Sequence, residues 1–328
     1  MNKESKIYIA GHRGLVGSAI QRILSRHGYS NLIVKTRAEL DLLNAEAVEK
    51  FFSKENPEYV FLAAARVGGI HANNTYPADF LYENLQIQNH VLQNAWRVRV
   101  KKLLFLGSSC IYPRDCPQPI QEDYLLTGPL ESTNRAYALA KIAGIELCQS
   151  FNRQHGTKFL SVMPTNLYGI HDNFHPENSH VLPALIRRIH EAKVKSLPEV
   201  VVWGTGTPRR EFLLSDELAE ACLHLMLHYD DGDLVNIGWG EDQTIKELAE
   251  TIVDVTGYEN DYEWDTSKPN GTPRKVLNVD KIKSLGWEPK ISLREGIEST
   301  YEWYKNNIGY EEPQQVNPIS RFMSWMDQ

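Results

Sequence analysis

Short apolar runs and apolar repeats of helical spacing take turns along the first half of the chain. Lys6-Ile-Tyr-Ile-Ala10 is a continuous run of strand length, and the stretch 14–27 after it returns apolar residues to one face every turn. The same pattern predicts strand 31–35, helix 44–55, strand 58–63, a Gly/Asn-rich loop, helix 78–97, strand 102–107, a helix over about 132–155 and strand 158–163. Strands apolar on both faces belong inside a parallel sheet, and their alternation with helices implies βαβ units. The expected fold class is α/β, a Rossmann-type doubly wound parallel sheet. The stretch 164–180 is rich in Asn, His and Pro and reads as a long functional loop. Beyond it the pattern predicts helix 181–193, strand 199–203, helix 215–229, strand 234–237 and helices 244–256 and 292–306. These form a smaller, interleaved C-terminal substrate-binding lobe. The expected division is 1–170, with some later segments returning to it, and 171–328, with the boundary only roughly placed between 165 and 180.

The first strand runs into Gly11-His12-Arg13-Gly14-Leu15-Val16-Gly17 and then a helix. Glycines there permit a tight turn, close approach of backbone N–H groups to a pyrophosphate, and tight helix-on-strand packing. The second strand ends in Lys35-Thr36-Arg37. An arginine at this point, with Arg13 able to reach the same place, accommodates a 2′-phosphate and selects NADP over NAD; Glu39 and Asp41 keep NAD open. Residues 1–170 are thus expected to bind NADP.

Strand 102–107 ends in Ser108-Ser109-Cys110, at the sheet end where ligands of such folds lie. Downstream, Tyr137 and Lys141 stand at i and i+4 on one face of a helix. A lysine beside a tyrosine favours the phenolate, lowering a pKa that is ordinarily about 10. An isolated Tyr-x-x-x-Lys is usually an ordinary amphipathic helix. The ordered conjunction of strand, Gly-x-x-Gly-x-x-Gly, a serine at a later strand end and Tyr-x-x-x-Lys makes it a reductive centre.

Composition narrows the partners. At 328 residues the chain can bury a large core, and 42% hydrophobic with 23% charged residues describes an ordinary globular protein. A net charge of −7 argues against nucleic-acid or membrane-surface partners, so an anionic substrate needs local cations. Cysteines 110, 116, 148 and 222 have no zinc or disulfide-framework spacing, and no carboxylate or cysteine accompanies His171, His175 or His180 at metal-ligand spacing. No metal is expected. No apolar run reaches about 18 residues and the N-terminus has no apolar h-region, so a cytoplasmic protein is expected.

At this point the chain resembles the extended short-chain dehydrogenase/reductase family. The resemblance covers nearly all of it, through Gly11-His-Arg-Gly14, Ala64-Ala-Arg-Val-Gly-Gly-Ile70, Asn73-Asn-Thr-Tyr-Pro-Ala78, Gly107-Ser-Ser-Cys-Ile-Tyr-Pro113 and Pro164-Thr-Asn-Leu-Tyr-Gly169. It extends through His171-Asp-Asn-Phe-His-Pro176, Asn178-Ser-His180 and Lys268-Pro-Asn-Gly-Thr-Pro-Arg-Lys275. Together these motifs are similar to the members that epimerise C3 and C5 of GDP-4-keto-6-deoxy-D-mannose and reduce C4 with NADPH. The resemblance implies Ser108, Tyr137 and Lys141 for reduction, with Ser109 an adjacent alternative. It also implies Cys110 as the base and His180 as the acid of epimerisation, although a free cysteine read alone is usually a core residue. Cofactor contacts implied are Gly11 to Gly17, Arg37, Leu106, Gly107, Ser108, Ser109, Lys141, Pro164, Thr165, Asn166, Leu167 and His180. For the GDP-sugar, Arg188, Trp203, Arg210 and Lys275 are candidates, and the family pattern adds position 270, where Asn270 replaces the usual Asp. Helices 78–97 and 132–155 correspond to those that pair across a two-fold axis in the family, implying a homodimer through a four-helix bundle. Rival readings are another nucleotide-sugar reductase, C4-epimerase or 4,6-dehydratase of the family, or a non-catalytic nucleotide-sensing module. Dehydratases carry an acidic pair where this chain has Cys110-Ile111, and sensing modules lose the tyrosine or lysine.

Overall fold

The computed structural model describes residues 1–176, 179–267 and 270–309. In chain order the first elements are β1 (Ile7–Ala10), α1 (Leu15–Arg26), β2 (Leu32–Val34), α2 (Ala45–Glu55), β3 (Tyr59–Leu62), α3 (Ile70–Thr75), α4 (Pro77–Arg97), β4 (Lys102–Leu106), α5 (Arg135–His155) and β5 (Phe159–Pro164). Then come β6 (Asn166–Tyr168), α6 (Val181–Val194), β7 (Glu199–Trp203), β8 (Arg209–Arg210), β9 (Phe212–Leu214), α7 (Ser215–His228) and β10 (Val235–Ile237). The last are β11 (Gln243–Thr244), α8 (Ile245–Thr256), β12 (Asp261–Asp265), β13 (Arg274–Lys275), α9 (Asp280–Ser284) and α10 (Leu293–Asn307).

The continuous apolar runs pack side by side as one six-stranded sheet in the order β10-β5-β4-β3-β1-β2, every neighbouring pair parallel. All residues of β1, β4 and β5 are buried, as strands covered on both faces must be. One helical layer pairs α1 with α7 and the other sets α4 between α2 and α5. The fold is the Rossmann-type doubly wound sheet that the alternation predicts.

Local chemistry sets the helix ends. Asn44 caps α2 by accepting from the Ala47 N–H at 3.0 Å, and Gly156 ends α5 in the left-handed region at φ 66°. Capping boxes built from Thr244 with Glu247 and Ser292 with Glu295 start α8 and α10.

The second half departs from a simple continuation. Val235 pairs with Val162 and Ile237 with Pro164, so β10 re-enters the first sheet as an edge strand. The remaining strands build small sheets: β11-β8-β13, β12-β7 and β6-β9. Two apolar clusters result. One fills the main sheet; the other gathers Tyr168, Phe174, Leu185, Ile186, Ile252 and Tyr301 beneath the smaller strands.

Several elements correct the periodicity reading. The Gly/Asn-rich loop contains α3, whose buried Asn73 donates to the carbonyls of Gly68 at 2.7 Å and Gly69 at 3.1 Å. The stretch 164–180 contains β6, paired in parallel with β9. Strands of two or three residues carry too few positions for a period of two to register, which also explains why β8, β11 and β13 were not anticipated. Asn178, Lys268 and the tail from 310, which fell in quoted motifs or closed the chain, lie outside the described residues.

Candidate active site

The turn after β1 uses its three glycines in three ways. Gly11 adopts φ +87°, and a Cβ there would meet the Ala64 backbone nitrogen at 2.7 Å. A Cβ on Gly17 would lie 2.0 Å from the Gly11 carbonyl oxygen, so that glycine lets α1 sit against the turn. Gly14 is the exposed N-cap of α1, with no side-chain cap and no acid in the first helical turn. The leading N–H groups of α1 are therefore offered to an anion at the positive end of the helix dipole. Beside them the buried Nδ1 of His12 has no partner. This cradle fits a dinucleotide pyrophosphate.

At the end of β2, Arg37 is exposed and its Nε lies 3.9 Å from Asp41. The acids that left NAD open are engaged locally. Glu39 accepts from the Thr36 N–H and hydroxyl, both at 2.8 Å, and Asp41 accepts from the Leu43 N–H at 3.0 Å. Arg13 on the glycine turn is exposed, as is Arg37.

β4 ends at Leu106, and Ser108 caps the short 3-10 turn Ser109–Ile111 by accepting from the Cys110 N–H at 3.2 Å. Ser109 is buried under this turn, which favours Ser108 as the reactive hydroxyl. Two residues on, buried Tyr112 donates to Asn236 of β10 at 2.6 Å and fixes the far side of the turn. α5 approaches β4 closely because Gly144 has no side chain: a Cβ there would lie 2.5 Å from the Phe105 ring. That approach brings Tyr137 to Ser108 and buries Lys141, whose Nζ donates to the Leu106 carbonyl at 2.7 Å.

The electrostatics of the pair correct one expectation. Burial, then the charge of Cys110, push the Tyr137 phenol above its ordinary value, and the Ser108 hydroxyl opposes this only in part. Lys141 does not lower it here. Its ammonium is turned to Leu106, 5.8 Å from the Tyr137 ring centre, and burial drives the lysine itself down to about 7. A tyrosine with a raised pKa holds its proton firmly, which suits an acid waiting for an oxyanion.

His180 is the N-cap of α6, with no side-chain cap hydrogen bond. The residue keeps an exposed edge, yet burial of its ring and the positive charge of Lys275 push its pKa below the ordinary value. Lys275 also reaches the other member of the expected pair: its Nζ lies 3.7 Å from Cys110 Sγ. Cys110, Asn134, Arg274 and Lys275 line one cleft. Cys148 and Cys222 are fully buried, as expected of core residues.

Of the GDP-sugar candidates, Arg188 sets its guanidinium 4.4 Å from the centre of the half-exposed Trp203 ring. Arg210 donates to the Arg209 carbonyl at 2.8 Å and passes close to Gly271. Burial lowers the pKa of both arginines from their ordinary values. Asn270 uses its carbonyl oxygen on Thr205, accepting from the N–H at 2.8 Å, and so braces the loop after Trp203. Lys275 parts from this group and stands with Cys110. Asn166 and Thr165, expected at the cofactor, also donate to the Glu211 carbonyl, at 2.8 and 3.4 Å.

Glu211 was missed by sequence reasoning. Its fully buried carboxylate accepts from the N–H groups of Gly240 at 2.7 Å and Leu277 at 2.9 Å. No spacing signals this role, because its partners are backbone groups distant in sequence. Among the described residues no three His, Cys, Asp or Glu side chains are grouped to hold a metal ion, and no helix is long and apolar enough to cross a membrane.

A Rossmann-type sheet with a glycine cradle at one strand end and a Ser-Tyr-Lys centre at another defines a nucleotide-dependent oxidoreductase or epimerase class. The chain belongs to the NAD dependent epimerase/dehydratase family, whose profile matches residues 7–238. It is 61% identical to GDP-L-fucose synthase 1 of Arabidopsis thaliana over 94% of this chain and 95% of that one. With GDP-L-fucose synthase of Escherichia coli strain K12 the identity is 54%, over 94% and 98%. Among solved structures it is similar to MlghC, a GDP-mannoheptose C4 reductase of Campylobacter jejuni with NADP bound. There the identity is 42% and the TM-score 0.86, covering 93% of this chain and 99% of that one.

Proposed function

We infer that the protein is an NADPH-dependent epimerase/reductase that converts GDP-4-keto-6-deoxy-D-mannose to GDP-L-fucose. The observation that carries the reading is the turn after β4. Cys110 stands two residues beyond Ser108 and close enough for its charge to act on Tyr137, so a thiol lies beside the groups that would hold the carbonyl.

Cys110 takes a proton from a carbon beside the ketone, and the C–H electron pair moves into the ring as an enolate. Ser108 and Tyr137 hold its oxygen. His180 returns a proton to that carbon from the opposite face, inverting it. The cofactor, when bound, supplies hydride to C4, and Tyr137 then gives its proton to the C4 oxygen. Lys141 holds the ribose and the local charge. Arg188, Arg210 and Trp203 take the GDP end, with guanidinium groups on the diphosphate.

In this reading residues 1–170, joined by β10 and α7, form the NADP lobe, and the second apolar cluster underlies the sugar-nucleotide lobe. Tyr82 on α4 is 63% exposed and Leu139 on α5 is 39% exposed, which supports a homodimer through a four-helix bundle of those helices. Four free cysteines suit a reducing, cytoplasmic setting.

The test is NADPH oxidation with GDP-4-keto-6-deoxy-D-mannose followed by NMR of the product. GDP-L-fucose is expected. A reduced sugar with the starting configuration at C3 and C5 would make the protein a C4 reductase only, and no NADPH oxidation would reject both.

A further inference from the structure

Composition alone offers Lys275 to the diphosphate, but the fold points it elsewhere. Its Nζ lies 3.7 Å from Cys110 Sγ, and its charge acts on His180 and Cys116 as well. The backbone that carries it is held on three sides. Arg274 and Lys275 pair in parallel with Arg209 and Arg210, the Val276 N–H donates to Gln118 at 2.9 Å, and the Leu277 N–H donates to buried Glu211 at 2.9 Å. The Cys110 turn is fixed at both ends by Ser108 and by the Tyr112–Asn236 hydrogen bond.

We infer that Lys275 is a positioning residue for epimerisation, the fixed counter-ion that keeps Cys110 an anionic base. The inference rests on the reading of Cys110 as the base. A thiolate, not a thiol, abstracts the proton, and an ammonium within about 4 Å favours the thiolate. The proton passes from carbon to Sγ, the electron pair goes to the enolate, and Lys275 is unchanged. The thiol then returns its proton to solvent.

Other charged or titratable groups face the sulfur. Tyr137 lies on the reductive side, His180 stands beyond Lys275, and Arg114, Glu131 and Arg274 line the same cleft. Arg274 is committed to Asp242, and Arg114 lies 3.4 Å from Glu131. Among the described residues that line this cleft, Lys275 is the cation left to the thiolate.

Two readouts on the full-length protein test this. One is the pH profile of Cys110 alkylation by iodoacetamide, followed on the Cys110 peptide by mass spectrometry. The other is deuterium exchange at C3 and C5 of GDP-4-keto-6-deoxy-D-mannose. Lys275→Met is expected to slow Cys110 alkylation at neutral pH and to slow exchange at pH 7 by about 10-fold or more, since the thiolate loses its neighbouring cation. Lys275→Arg, which keeps the charge, is expected to restore most of both. NADPH binding reports folding of each variant, and Lys275→Gln replaces the Met variant if that one fails to bind it. An unchanged alkylation profile with a raised KM for the GDP-sugar would return Lys275 to the diphosphate and overturn the inference. Exchange at the wild-type rate in Cys110→Ser would sink the base reading instead, and the alkylation profile separates the two failures.

Discussion

In the proposed mechanism the groups that handle the carbonyl and the groups that move carbon-bound protons sit side by side, yet they are held by different kinds of structure. Tyr137 and Lys141 stand on α5 and Ser108 follows the end of β4, elements locked together by the Gly144–Phe105 approach and the Lys141–Leu106 hydrogen bond. Cys110, His180 and Lys275 come from a 3-10 turn, a helix N-cap and a two-residue strand. On that reading reduction takes its geometry from the doubly wound sheet itself. Epimerisation is assembled from the ends of small elements, where one substitution can add or delete a chemical step while the sheet stays as it is.

The sharpest test of that division is Tyr137→Phe. Loss of the proton donor is expected to cut NADPH oxidation by about 10²- to 10⁴-fold, while C3/C5 exchange in deuterated solvent falls much less. Equal losses in both assays would mean that the two sets act as one unit. Cys110→Ser probes the other side: exchange is expected to drop about 100-fold, and the residual NADPH oxidation should yield sugar with unaltered C3 and C5. A fully inverted product at the wild-type rate would remove Cys110 from the epimerising set.

Cofactor choice lies on the sheet side and should be separable from both. Arg37→Ala is expected to raise KM for NADPH about 10-fold, the scale of one lost charge-assisted hydrogen bond, with KM for NADH nearly unchanged. Parallel changes for the two cofactors would take Arg37 off the 2′-phosphate.

The smallest effect is on stability. Burial takes Lys141 from 10.5 to about 7, so between those values the unfolded chain binds a proton that the folded one does not. The destabilisation is complete below about pH 7 and is relieved as pH rises toward 10.5. Lys141→Met should therefore raise Tm by a few degrees at pH 6, with the gain shrinking toward pH 10. A gain independent of pH would mean that the lysine is stably neutral or well solvated.

The sheet side was legible because its signals are periodic and local. Gly11, Gly14 and Gly17, the strand end at Ser108, and Tyr137 with Lys141 each obey a spacing rule that the fold then enforces. The other side was not. Cys110, His171, His175 and His180 carry no spacing that separates a ligand or base from a core residue, and only the family resemblance assigned roles to Cys110 and His180. Lys275 was named only for the GDP-sugar and Glu211 not at all, because the contacts of Lys275 with Cys110 and of Glu211 with backbone N–H groups join residues distant in sequence. The Tyr137–Lys141 spacing located the pair correctly but misjudged its electrostatics, since burial outweighs the nearby charge.

The late return of β10 to the first sheet bears on how the chain is made. Until residue 237 has left the ribosome, β5 is an open edge, and α1 lacks α7, to which Arg22 is tied through Asp216. Synthesis at about 5 to 20 residues per second keeps that edge bare for several seconds after β5 appears. The first sheet therefore cannot be completed before the chain has been translated through Ile237. A fragment cut just ahead of Leu234 would leave one edge of the largely apolar strand β5 bare, an edge of the kind that recruits other chains.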